Sequence, residues 1–107
     1  MRGTVVGIRL SVDSDVLRGS GINVNRWLTW YLGLRTAPAT RIFTLVDQPG
    51  EVAVKRATSA AQLSSLRAAV LAMDLVEGCT IAVLLHTDND TATIRHTCGA
   101  ATCPALI

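Results

Sequence analysis

Hydrophobic and polar positions alternate along residues 4–12 (TVVGIRLSV): Val6, Ile8, Leu10 and Val12 fall on one side of an extended chain, Val5, Gly7, Arg9 and Ser11 on the other. A period of two with one polar-tolerant side predicts a half-buried strand. Asp13 to Gly21 (DSDVLRGSG) then carries turn chemistry. From Asn23 the period changes. Val24, Trp27, Tyr31 and Leu34 recur at helical spacing, and Asn23 or Asn25 can cap a helix running to Leu34 by accepting from free first-turn N–H groups.

Two more strands are expected over 40–47 (TRIFTLVD) and 51–57 (EVAVKRA), joined by Asp47-Gln48-Pro49-Gly50. Proline presets φ at the first central turn position and glycine accepts positive φ at the second, so the pair reads as a hairpin. A long helix is expected over 60–77. Ser59 and Gln62 have capping-box spacing, Leu63, Leu66, Val70 and Met73 form an apolar stripe, and Gly78 suits the left-handed closing position. Residues 79–87 (CTIAVLLHT) are apolar without alternation, as in a central strand covered on both faces, and 91–97 (TATIRHT) offers an optional edge strand. The order β-α-β-β-α-β predicts an α+β two-layer sandwich of ferredoxin-like type, one domain over 1–97, with an irregular C-terminal tail over 98–107.

Composition narrows the class. Of 107 residues, 50% are hydrophobic and 17% charged, which excludes intrinsic disorder. No apolar stretch approaches the roughly 20 residues of a membrane span, and the start of the chain does not read as a signal peptide. Three cysteines, an odd number, fit reduced thiols in a cytoplasmic protein. The net charge is +2, and Lys55 is the only lysine among ten basic residues. These are spread along the chain and not clustered, so nucleic acid stays open as a partner but no basic patch in the linear sequence supports it.

Candidate chemistry follows from the element ends. Asp13 and Asp15 come just after the first strand, Asp88 and Asp90 just after the apolar one. If those strands lie side by side and parallel, their carboxylates converge and can hold Mg²⁺. Aspartate is also a favoured turn residue, which accounts for both pairs without chemistry. The stretch Thr58–Asp90 (TSAAQLSSLRAAVLAMDLVEGCTIAVLLHTDND) resembles the central helix and following strand of ribonuclease H domains. That resemblance implies Asp88 as a metal-binding carboxylate and places Gln62 where the family has a helix glutamate. His86, His96, Cys98 and Cys103 are zinc-ligand types but lack tight paired spacing. Gly19-Ser20-Gly21 reads as a connection or an anion-receiving loop. No phosphate-binding glycine loop, H-E-x-x-H or nucleophile elbow occurs.

Trp27, Trp30 and Tyr31 remain. They span too wide an arc for all three to be buried on one helix, and such residues concentrate binding energy at interfaces. The reading from sequence is a non-enzymatic binding or regulatory module that carries no cofactor. It self-associates, most simply as a homodimer, and recognises a protein or small ligand through the Trp27–Tyr31 helix or the sheet. The alternative is a metal-dependent, ribonuclease H-like nucleic-acid-processing domain, or an inactive relative, built on Asp13, Asp15 and Asp88.

Overall fold

The alternation of residues 5–11 produces strand β1 (Val5–Ser11), whose exposure alternates as the sequence predicts. It is followed in a computed structural model, described for residues 4–97, by helix α1 (Ser14–Arg18), β2 (Ile22–Val24), α2 (Leu28–Tyr31), β3 (Ala39–Leu45), β4 (Glu51–Arg56), β5 (Ala61–Leu63), α3 (Arg67–Ala72), β6 (Thr80–His86) and β7 (Thr91–His96). The tail assigned to 98–107 lies outside the described residues, and so do Cys98 and Cys103.

All seven strands form one mixed sheet in the order β1-β6-β7-β3-β4-β5-β2. Neighbours pair antiparallel except β3 and β7, which run parallel through Thr44↔Thr91 and Leu45↔Ala92. The sheet curls into a half-barrel. Its two edge strands approach each other, since Arg9–Ser11 of β1 and Gly21–Asn23 at β2 line a common cleft. The concave side is filled by Phe43, Val52, Val54, Leu63, Ile81, Val83 and Leu85. A curled sheet buries one face against itself, so little helix is needed to cover it.

This corrects the expected ferredoxin-like sandwich: the three helices are short and make up only 16% of the structure. The helix expected over 60–77 is reduced to α3. Ala61, Gln62 and Leu63 extend instead, Ala61 and Leu63 buried and Gln62 exposed, with β4 on one side and β2 on the other. Ser59 lies in the short β4–β5 connection, where Ala57 N–H donates to the Ala60 carbonyl at 2.8 Å, and it caps no helix. Gln62 therefore occupies no helix position, and the implied likeness to the ribonuclease H helix fails there.

The helix expected over 23–34 is likewise split between β2 and the single turn α2. Strand β7 is internal rather than an edge, lying between β6 and β3. The hairpin of β3 and β4 and strand β6 form where the pattern places them, but β6 alternates between half-buried and buried positions instead of being covered on both faces. Among the described residues, no helix is long and apolar enough to cross a membrane.

Candidate functional site: an aromatic and arginine face

β1 and β6 are neighbours but antiparallel, with Ser11 opposite Thr80 and Val5 opposite His86. Asp13 and Asp15 consequently lie at one end of the pair and Asp88 at the other, roughly 20 Å of extended chain apart. Asp13 caps α1, its Oδ1 accepting from Val16 N–H at 2.9 Å, and Asp15 pairs with Arg18. Asp90 accepts from Arg41 at 2.6 Å. No group of three or more His, Cys, Asp or Glu side chains among the described residues is placed to hold a metal ion. The donor set for Mg²⁺ does not fit, because the antiparallel pairing separates it. His86 is half-buried with Nε2 3.4 Å from Thr93 Oγ1, and Cys79 is fully buried.

The aromatic residues behave differently. Segment 25–38 crosses one end of the half-barrel as a plug. Asn25 starts it, its side-chain oxygen accepting from Trp27 N–H at 2.9 Å. Thr29, Leu32 and Leu34 turn inward and are buried, with Thr29 Oγ1 donating to the Arg26 carbonyl at 2.7 Å. Trp27, Trp30 and Tyr31 consequently point outward, with 71%, 53% and 65% of their surfaces exposed. The expected buried stripe of Val24, Trp27, Tyr31 and Leu34 is thus broken: a single helical turn followed by Gly33 at φ 77° sets its own sidedness.

Two arginines on the inner side of the sheet hold the plug by its carbonyls. Arg41 donates Nη1 to Leu32 O at 2.9 Å and Nη2 to Thr87 O at 2.8 Å, and its guanidinium lies 5.0 Å from the centre of the Phe43 ring. Arg56 donates Nη1 to Leu34 O at 2.6 Å, while its Nε is buried with no partner among the described residues. Charge-assisted bonds to carbonyls are stronger than neutral ones and fix the segment geometrically.

Arg26, Trp27, Thr29, Trp30 and Arg56 line a cleft of about 340 Å³. Arg35 stacks on Trp30, 4.6 Å from the ring centre, a cation–π arrangement. No acidic side chain lines this cleft. The arginines of this face were not legible as a cluster, because the β3–β4 register brings Arg56 to it from a distant stretch of chain. One sequence signal does point there: no acidic residue occurs between Asp15 and Asp47, whereas Arg18, Arg26, Arg35 and Arg41 all do. Compared with protein families and with curated proteins, the chain matches none.

Proposed function

We propose that this protein is a non-enzymatic binding module of the cytoplasm, and that Trp27, Trp30 and Tyr31, with Arg26, Arg35 and Arg56, form its recognition surface. The ligand is anionic and presents planar or apolar groups between its charges. The observation that carries this reading is the exposure of three large aromatic rings on one turn whose backbone is clamped from beneath by Arg41 and Arg56. Contiguous exposed aromatics mark interaction surfaces in soluble proteins, and a clamped backbone lowers the ordering cost of binding.

Homodimerisation through this face is less favoured, since it would bring together two arginine-rich faces whose cleft offers no acid in return. The test is tryptophan emission of the full chain titrated at low salt with heparin, poly-L-glutamate and oligo(dT). A saturable change with at least one polyanion, weakened in the Tyr31→Ala variant, which keeps both tryptophans as reporters, supports the reading. An unchanged spectrum with all three defeats it.

A further inference from the structure

We infer that the open edge of β1 is a self-association surface, on which a second copy of this chain adds its own β1 antiparallel across a two-fold axis at Ile8. Thr87 N–H donates to Thr4 O at 3.0 Å and Val12 N–H to Cys79 O at 2.7 Å, with the β1–β6 register unbroken between them. Backbone groups along an antiparallel strand face its two sides in alternation. The even-numbered residues therefore bond to β6, and Val5, Gly7, Arg9 and Ser11 direct their N–H and C=O groups outward. β1 ends the sheet, and no strand among the described residues takes those groups. β2 stands off from Arg9–Ser11 across a cleft of about 390 Å³.

Soluble proteins blunt a free strand edge by shortening it, by lysine or proline, or by a bulge. The other edge of the sheet, β2, is only three residues long. β1 runs for seven residues without lysine or proline, and its pairing to β6 has no bulge. Its one charge is Arg9. An edge of this kind is a template for another strand.

The sequence of β1 fits its own copy. A two-fold at Ile8 sets Val5 of one copy opposite Ser11 of the other, and Gly7 opposite Arg9, each in both directions. The outward groups of all four residues then meet in about eight hydrogen bonds. Val6, Ile8 and Leu10 are half-buried on the inner face, packed against the core. On that face Val6 meets Leu10 and Ile8 meets Ile8, so two apolar surfaces continue into each other. Moving the axis to Arg9 opposes two guanidinium groups, and moving it to Gly7 carries Ser11 past the end of the other β1. A foreign peptide has to supply this alternation, whereas a second copy carries it by construction. The surface uses none of the residues of the aromatic face and stands independently of the reading above.

The experiment is sedimentation velocity of the full chain from roughly 1 μM to 1 mM. The expected result is a reversible rise from the mass of one chain to that of two. Arg9→Pro removes an outward N–H and sets a ring against the incoming strand while the bonds to β6 stay in place. It should shift the equilibrium by about tenfold or more toward the single chain. Two paired variants at exposed positions read the register. Val5→Arg/Ser11→Arg opposes like charges and should dissociate about tenfold more readily than Val5→Glu/Ser11→Arg, which opposes unlike ones.

The mass of a single chain throughout the range would overturn the inference, whatever foreign strand the edge accepts. So would association that survives Arg9→Pro or ignores the sign of the charge at residue 5. Association lost in Trp27→Ala/Trp30→Ala would also overturn it, by placing the interface on the aromatic face. Unchanged melting of Arg9→Pro, measured where the native chain is monomeric, separates lost pairing from lost folding, and the charge pair reads the same edge without altering the backbone.

Discussion

At one end of the half-barrel α1 and α3 pack against each other, and closure there is aliphatic. Val12, Val16, Leu66, Val70 and Leu75 are buried together, and the connections are backbone bonds such as Gly78 N–H to Val12 O at 2.8 Å. At the other end the plug contributes the buried Leu32 and Leu34 and the half-buried Leu28 to the same cluster, and is held by guanidinium bonds to its carbonyls. The two solutions leave different surfaces outside. Where aliphatic side chains do the closing, the large hydrophobic residues left outside are the aliphatic Leu71 and Val76, and no aromatic ring is among them. Where arginines hold the backbone from within, the aromatic side chains of the plug are released from packing and stand in solvent. A segment pinned by its carbonyls can carry large rings outward without unravelling, and that suits a binding surface.

The comparison is most sharply broken at the aliphatic end. Leu66→Ala removes a fully buried side chain and should lower unfolding free energy by about 2–5 kcal/mol in urea. A cost under about 1 kcal/mol would mean that this end is not tightly packed. At the plug, Arg41→Met removes bonds to Leu32 O, Thr87 O and Asp90. It should cost about 2–3 kcal/mol and speed amide exchange of residues 29–34. Slow exchange there despite the substitution would show that the plug holds by apolar packing alone.

Smaller effects follow. Asp13→Ala removes the side-chain cap on α1 and should cost about 1 kcal/mol, read as a lower melting temperature, with polyanion affinity unchanged because the cap lies at the opposite end. Trp27→Ala should alter stability by less than about 0.5 kcal/mol while weakening ligand binding. If it instead destabilises the fold substantially, the ring is structural and the contrast between the ends disappears. Millimolar Mg²⁺ should leave the melting temperature where it is, since no carboxylate cluster is assembled among the described residues.

Much of the sheet was readable from local pattern. β1 spans seven residues of clean alternation, the Asp47–Gly50 turn fixes the β3–β4 hairpin, and β6 is apolar enough to be internal. The candidate site was half legible: the aromatic residues stood out by composition, whereas their common outward direction and their arginine neighbours did not. Asp13, Asp15 and Asp88 were equally visible but carried the wrong implication, because strand direction decides whether residues after two strands meet.

What the chain determined by itself was therefore the set of long, periodic or turn-bounded segments, where the pattern repeats often enough within one element to select its conformation. Tertiary structure decided the short ones. β2 and β5 each have three residues, too few to display a period, and Ala61 and Leu63 suit a helix as well as a strand. Helix propensity distinguishes such residues by only a few tenths of a kcal/mol, less than the hydrogen bonds and burial that β4 supplies on one side of β5 and β2 on the other. Those partners lie far away in sequence, as do the two arginines that turn Trp27, Trp30 and Tyr31 toward solvent.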